Sequence, residues 1–168
     1  DNGTTWIPRT SGTTKHLRDV IYANSIFVSV GSSGTILTSD NGTTWTSRTS
    51  GTTKGLNGIA YGCRYAQCAR ENYSDGKTFV TVGESGTILI SRDASTWESI
   101  DPVTSKKLRG VTYGSSADPI FVAVGRTGTI LTSSGHGTSW TPIDDSGTRK
   151  RLNGITYGNS TFVTVGNS

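Results

Sequence analysis

Short apolar runs alternate with turn-forming residues along the whole chain. Triplets such as Val20-Ile21-Tyr22 and Ile26-Phe27-Val28 stop after a few residues and are separated by Gly, Asn, Asp and Ser. This alternation is typical of half-buried β-strands joined by tight turns. In the first complete unit it predicts strands over residues 17–22, 26–30, 35–39 and 45–48. Asn41-Gly42 lies between two of these runs and predicts a hairpin, because both residues tolerate a positive φ.

The same set of markers recurs four times. A tryptophan opens each copy, and a leucine, a tyrosine, a phenylalanine and a glycine follow in a fixed order. These markers are Trp6, Trp45, Trp97 and Trp140; Leu17, Leu56, Leu108 and Leu152; Tyr22, Tyr61, Tyr113 and Tyr157; Phe27, Phe79, Phe121 and Phe162; and Gly31, Gly83, Gly125 and Gly166. Four strands in a period of about 40 residues are typical of a β-propeller blade.

The repeat predicts an all-β fold, a β-propeller of four-stranded antiparallel blades. We expect one domain or segment, 1–168, with repeats at about 1–39, 40–91, 92–133 and 134–168. The last repeat lacks its third strand. A strand is also expected just after Trp6, ahead of the first complete unit, and if it closed the ring by joining the last repeat, a gap with open edges would remain. Three explanations stay open: the chain continues past Ser168, a second chain supplies strands, or the sequence is a fragment.

The segment 38–45 carries the motif Ser/Thr-x-Asp-x-Gly-x-Thr-Trp, and three further segments keep parts of it. With these motifs, the chain resembles the bacterial Asp-box propellers, also called neuraminidase-type repeats, which include photosystem II assembly factor-like and sialidase-like propellers. The resemblance implies a set of residues with structural roles. The carboxylate caps a turn, the glycine adopts a left-handed backbone conformation and the tryptophan packs between blades. That set is Asp1, Gly3, Trp6, Asp40, Gly42, Trp45, Trp97 and Trp140. Binding of calcium or sugar by Asp40 and Asn41 is the alternative.

Composition narrows the class of protein. Hydrophobic residues make up 32% and charged residues 17% of the chain, with 22 glycines, which is too poor in helix formers for a helical bundle. No apolar run approaches the roughly 20 residues that cross a bilayer. The net charge of +4 permits an anionic partner, and no specific signal for nucleic acid appears. Because the sequence has no Met, we expect that the chain has been processed or trimmed.

No catalytic constellation is visible. The only histidines, His16 and His136, lie in different repeats, and the zinc, nucleophile-elbow and phosphate-loop patterns are absent. A sialidase assignment would rest on analogy with the fold alone. We therefore expect no enzymatic activity, no catalytic residue, no cofactor and no metal. A fragment of a glycoside hydrolase whose catalytic residues lie outside this chain is the enzymatic alternative.

An insertion between the first two strands of the second unit carries both cysteines. Cys63 and Cys68 are close enough for a local disulfide, and the pair suggests an oxidising compartment. We expect an extracellular or cell-surface location. The insertion is either a loop that contacts a partner or a tolerated surface insertion. As a partner loop it would use Arg64, Tyr65, Arg70 and Tyr73.

Four lysines occupy the same position, two residues before the marker leucine of each unit. They are Lys15, Lys54, Lys106 and Lys150. Blade symmetry would arrange them around one mouth of a central channel, and Arg18 and Arg109 lie in the same zone. Converging cations favour an anionic ligand. The alternative is that repetition copied one solubilising lysine four times.

These observations predict a non-enzymatic binding or assembly module whose loops contact a protein or a glycan, with an anionic ligand permitted. Further blades are expected from the same parent chain or from other subunits. The second hypothesis is a structural subunit of a larger ring or filament that other chains complete.

Overall fold

The computed structural model describes residues 3–63, 76–115, 119–134 and 136–167. Regular structure in these residues consists of strands and three-residue 3₁₀ turns. The strands are β1 (Leu17–Ala23), β2 (Ile26–Gly31), β3 (Ile36–Ser39), β4 (Thr46–Arg48), β5 (Leu56–Cys63), β6 (Lys77–Gly83), β7 (Ile88–Ser91), β8 (Glu98–Ile100), β9 (Leu108–Gly114), β10 (Ile120–Gly125), β11 (Ile130–Ser134), β12 (Thr141–Pro142), β13 (Leu152–Gly158) and β14 (Thr161–Gly166). The described part of the chain contains no helix that is long and apolar enough to span a membrane.

The strands form four antiparallel sheets in chain order, which we call blades 1 to 4. Blade 1 is β1-β2-β3-β4, blade 2 is β5-β6-β7-β8 and blade 3 is β9-β10-β11-β12. Within the described residues, blade 4 consists of the hairpin β13-β14. The predicted four-stranded repeat with an incomplete last copy is therefore confirmed, and the four strands predicted for the first complete unit agree with β1 to β4 within about one residue.

The segment before blade 1 differs from the prediction. Residues 7–9 occupy the repeat position of β4, and the sequence predicts a strand there. The structure shows no strand between residues 5 and 10, and the Trp6 side chain is 86% exposed. A strand needs a hydrogen-bonding neighbour. Within the described residues, blade 4 offers no third strand to which this segment could pair.

Neighbouring blades pack face to face. Each blade has a forward face, directed at the next blade in the chain, and a rear face, directed at the previous one. Between blades 1 and 2, the forward residues Val28, Val30 and Ile36 form a core with rear residues Leu56, Ile59, Phe79 and Leu89. Between blades 2 and 3, Val80, Val82, Ile88 and Ile90 form the corresponding core with Leu108, Val111, Phe121 and Leu131. The apolar residues of the repeat therefore stabilise junctions between blades.

An aromatic pair and a glycine fit together at the junctions. The marker tyrosine and phenylalanine of each blade are opposite neighbours on its first two strands, as in Tyr113 and Phe121, whose ring centroids are 4.9 Å apart. A Cβ at Gly62 of blade 2 would overlap both of these rings. Gly114 of blade 3 makes the same space for Tyr157 and Phe162 of blade 4. Glycine is required here for close packing rather than for its φ.

A second glycine fixes each blade's hairpin at the opposite end of the first strand. Gly31, Gly83, Gly125 and Gly166 end the second strands, and a Cβ at each would overlap a backbone carbonyl oxygen that lies just before the first strand. The next residue donates its N–H to that same carbonyl, as Glu84 does to Gly55 and Arg126 does to Lys107, both at 2.9 Å. The side chain after each glycine is thereby held beside the start of the first strand.

The turn between the third and fourth strands requires a correction. We expect the Asp40 carboxylate to cap this turn, but the capping oxygen belongs to the next residue. Asn41 Oδ1 accepts the N–H groups of Thr43 and Thr44 at 2.8 and 2.9 Å. In blade 2 the equivalent Asp93 accepts two N–H groups at 2.8 Å, and the hydrogen bond from Thr96 is the main reason why its pKa is lowered. An Asx side chain bonds to the backbone N–H two residues further on, which for Asn41 is that of Thr43. The Gly42 N–H, two residues after Asp40, donates instead to Ser39 Oγ at 2.9 Å.

The marker tryptophans differ in burial: Trp140 and Trp97 pack at junctions between blades, whereas Trp6 does not, so the expected packing of all four is wrong. Trp140 is 5% exposed and belongs to the core between blades 2 and 3. Trp45 and Trp97 are partly exposed, and Trp6 is largely exposed. Three of the indoles still donate to the carbonyl three residues earlier: Trp6 to Gly3, Trp97 to Ala94 and Trp140 to Gly137.

Several predicted residues lie outside the described residues. They are Asp1, Arg64, Tyr65, Cys68, Arg70 and Tyr73. The partner loop and the disulfide between Cys63 and Cys68 therefore stay predictions.

Truncation of Trp140 tests the packing between blades. Because this ring is almost fully buried, Trp140→Ala is expected to lower the free energy of unfolding by about 3 to 5 kcal/mol. Trp6→Ala, at the equivalent but exposed position, should change it by less than about 0.5 kcal/mol. Urea unfolding followed by circular dichroism compares the two. Equal losses would contradict the arrangement of the blades.

Alanine substitutions at neighbouring positions test the capping assignment. Asn41→Ala removes the acceptor of two backbone N–H groups and should lower the free energy of unfolding by about 1 kcal/mol. Asp40 accepts no hydrogen bond from the described residues, so Asp40→Ala should cost less than about 0.5 kcal/mol. The reverse order, measured by the same urea titration, would restore Asp40 as the cap.

Candidate anion-binding site

The four predicted lysines lie in equivalent turns. The backbone N–H of each lysine donates to the hydroxyl of the threonine two residues earlier, at 3.0 to 3.1 Å. All four side chains are exposed, and their amino groups make no hydrogen bond or ion pair within the described residues. The turn explains why the lysines repeat. The structure brings a different set of cations into contact.

In each blade, the glycine that ends the second strand contacts the start of the first strand. Three repeat positions surround this point. They are the residue before the marker leucine, the residue after it, and the residue after the glycine. Blade by blade they are His16, Arg18 and Ser32; Gly55, Asn57 and Glu84; Lys107, Arg109 and Arg126; and Arg151, Asn153 and Asn167. These positions hold five Lys or Arg side chains and one carboxylate.

Glu84 neutralises the cations on either side of blade 2. Its Oε1 lies 3.4 Å from Arg18 Nη1 of blade 1 and 3.1 Å from Lys107 Nζ of blade 3, and its Oε2 accepts the Gly55 N–H at 3.3 Å. The hydrogen bond from Lys107 is the largest of the causes that lower the pKa of Glu84. Arg18 also donates to Asn57 Oδ1 at 2.6 Å. A carboxylate therefore fits this position and is held by two blades besides its own.

The junction of blades 3 and 4 has the same repeat positions without the carboxylate. Arg109 replaces Arg18, and Asn167 replaces Glu84. The neutral Asn167 Oδ1 accepts from Arg151 Nη2 at 3.1 Å, from Arg151 Nε at 3.3 Å and from Asn153 Nδ2 at 2.8 Å. In the described part of the chain both ion pairs are made by Glu84, so no acidic side chain neutralises Arg109, Arg126 or Arg151. We call these three residues the Arg109 cluster.

Arg109 shows the electrostatic consequence. Burial of its guanidinium is the main cause that lowers its pKa, and the charges of Arg151, Arg126 and Arg18 lower it further. Its Nε atom is buried and has no hydrogen-bond partner among the described residues. Like charges at a partly desolvated donor favour entry of an anion. Arginine is suited to this role because its planar fork of donors matches a carboxylate or a phosphate.

An open cleft of about 420 Å³ lies beside the cluster. It is lined by Arg126, Thr127, Arg149, Lys150, Arg151 and Asn167. A larger cleft of about 830 Å³ runs along the outer edge of blade 3, where Asp144 and Asp145 balance Lys106 and Arg149. Of these two clefts, only the smaller one is lined by basic residues and by no acidic residue. It is the candidate site, and it includes one predicted lysine, Lys150.

Of the residues predicted for a cationic mouth, Lys150 lines this cleft, Arg109 belongs to the cluster beside it and Arg18 pairs with Glu84; the prediction did not include Glu84, Arg126 or Asn167. The sequence did contain a signal for these three residues, because each of them follows the repeat glycine of its blade. Their role required knowledge of the glycine contact, which brings two segments together. No group of three His, Cys, Asp or Glu side chains within the described residues could hold a metal ion.

The fold and the site define a class: the chain consists of β-propeller blades with a basic rim. Among solved structures, it is similar to YCF48 bound to D1 peptide, at 19% identity and a TM-score of 0.65, covering 91% of this chain and 47% of that one. It is also similar to YCF48 from Cyanidioschyzon merolae, at 16% identity and a TM-score of 0.66, covering 91% and 48%. This chain thus spans about half the length of these structures, and the likeness shows the fold. No family model and no curated protein matches the sequence, so the Asp-box assignment stays a prediction.

Glutamine at position 84 tests the neutralising role of that carboxylate. Because its folded-state pKa is lowered, the ionised Glu84 stabilises the fold above the usual glutamate pKa, and this contribution is lost as pH falls through the folded-state value. The side chain is 39% exposed, so Glu84→Gln should lower the free energy of unfolding by only about 0.5 kcal/mol near pH 7 and by less near pH 3. Urea titrations at both pH values measure this difference.

The exposed Glu98 supplies the control, since it forms no ion pair in the described residues. Glu98→Gln should leave the stability unchanged at either pH. A loss for Glu84→Gln that persists in acid would contradict the electrostatic role.

Proposed function

We propose that the chain is a non-enzymatic, protein-binding propeller module that holds an acidic segment of its partner at the Arg109 cluster. The observation that carries this proposal is the contrast between two equivalent junctions. The Glu84 carboxylate bonds to Arg18, whereas the neutral amide at the equivalent position, Asn167, bonds to Arg151, whose charge also acts on Arg109. A carboxylate from a partner would supply the charge that Asn167 lacks, with charge-assisted hydrogen bonds from arginine.

Peptide binding is favoured over other anionic ligands by the shape of the site and by the fold comparison. The cleft is open and polar, as suits an extended segment rather than an enclosed small molecule. A structure with the same fold is YCF48 bound to D1 peptide, and this supports a protein partner for the present chain. An extracellular or cell-surface location, suggested by the cysteine pair, remains part of the proposal.

Fluorescence anisotropy with a labelled peptide of alternating Glu and Ser tests the proposal, with a Gln-Ser peptide as the uncharged probe. We expect the Glu peptide to bind more tightly and to weaken as salt is added. Asn167→Glu places a carboxylate inside the cluster and should weaken binding by about tenfold to a hundredfold. Asn167→Gln keeps the neutral amide and is the matched control.

Glu84→Gln should have the opposite effect, because it releases Arg18 and Lys107 from their shared carboxylate. Tighter binding of the Glu peptide by this variant would support the proposal. Equal affinity for the two peptides, or an Asn167→Glu variant that binds like the unmodified chain, would overturn it. Polygalacturonate is the glycan probe, and preferential binding of it would replace the protein partner with an acidic glycan.

A further inference from the structure

The two ends of the row of blades leave opposite faces uncovered. On the rear face of blade 1, Val20 and Tyr22 are more than half exposed. On the forward face of blade 4, Val163 and Val165 are more than half exposed. Since both faces are open, blade 4 does not cover blade 1 of the same chain. Large exposed apolar side chains that share one sheet face indicate an interaction surface.

The residues on these open faces are the same ones that the interior junctions bury. Val163 and Val165 occupy the repeat positions of Val80 and Val82, which are fully buried under blade 3. Val20 and Tyr22 occupy the positions of Ile59 and Tyr61, which pack under blade 1. The open faces are therefore the two unmatched halves of an interface that the chain already forms between its own blades.

The aromatic pair and its glycine space show the same complementarity. Gly62 and Gly114 each face the tyrosine and phenylalanine of the next blade. Gly158 holds this position in blade 4, and no atom lies within 4 Å of where its Cβ would be. Tyr22 and Phe27 of blade 1, with ring centroids 4.5 Å apart, have no preceding blade to receive them. Blade 4 thus carries an open space beside a glycine, and blade 1 carries an aromatic pair of the kind that fills this space at the interior junctions.

We propose that blade 4 of one chain packs on blade 1 of a second copy, head to tail, with Tyr22 and Phe27 of the second copy over Gly158. In the proposed assembly two such contacts close a two-copy ring, with the stacking of blades within each chain continuing across both contacts. The chain spans 47% of a structure with the same fold, so two copies supply about the length of one. In blade 2, the Asn57 side chain donates to the Leu108 carbonyl of blade 3. Asn153 holds the equivalent position in blade 4, and the same contact brings it within reach of the Leu17 carbonyl of the second copy.

The missing outer strands of blade 4 do not remove the contact. The contacts between neighbouring blades lie mainly between their first two strands, such as β5 with β9 and β9 with β13. Blade 4 has both of these strands, and its partner face on blade 1 is centred on β1 and β2. The apolar surface that would be covered therefore exists on both sides.

Sedimentation velocity over a roughly thousandfold range of concentration tests the proposal, since association follows mass action. We expect a species of twice 17.7 kDa for the unmodified chain. Gly158→Ile places a side chain in the open space, where its Cβ has no atom of its own chain within 4 Å, and Tyr22→Ser removes half of the aromatic pair. Each variant alone should be a monomer with an unchanged circular dichroism spectrum. Thr43→Ile, which adds an apolar side chain to an exposed turn, should still dimerise.

A mixture of the two variants makes the test specific for a head-to-tail contact. The Tyr22→Ser chain keeps its forward face and the Gly158→Ile chain keeps its rear face, so together they form one intact contact. The mixture should dimerise, with an affinity about 10² to 10⁴ times weaker than the two-contact ring. A dimer that persists in Gly158→Ile, or a mixture that stays monomeric while the unmodified chain dimerises, would overturn the head-to-tail contact. A monomeric unmodified chain would overturn the second copy as the occupant and leave the open faces to further blades of a longer chain.

Discussion

The close approach of a glycine to a backbone carbonyl at the end of each second strand is the constraint on which this structure depends. Because Gly31, Gly83, Gly125 and Gly166 lack a side chain, each hairpin can fold tightly against the residue before its first strand. The N–H of the following residue then bonds to the same carbonyl. A methyl group at any of the four would push these segments apart and open the blade where its neighbours pack.

The same constraint arranges the chemistry of the rim. With the backbone fixed, three side-chain positions in each blade face the neighbouring blades, and they vary while the glycine and the leucine do not. In blade 2 they hold Glu84, which pairs with two cations. In blades 3 and 4 they hold Arg109, Arg126 and Arg151 with a neutral Asn167. A repeated scaffold thus produces one neutral junction and one cationic junction from the same geometry.

Much of the fold could be predicted because each strand carries its own local pattern and each pattern occurs several times. The Asn41-Gly42 turn and the strands beside it follow from neighbouring residues. The capping role of Asn41 was misassigned to Asp40, because the two polar residues are adjacent and only coordinates show which oxygen reaches the backbone. The candidate site was predicted in part: Lys150 lines the cleft and Arg109 belongs to the cluster beside it, whereas the four exposed lysines repeat because of the turns that hold them.

By itself the sequence determined the number of repeats, the order of strands in a blade and the excess of cations near the first strands, because these depend on local spacing and composition. Only the tertiary structure decided which cation lacks a carboxylate, which tryptophan is buried and which faces stay open. Those outcomes depend on contacts between residues far apart in the chain, such as Glu84 with Arg18 and Lys107. Charge neutralisation and burial act through distance in space, and the spacing of residues along a chain does not fix that distance until the blades have packed.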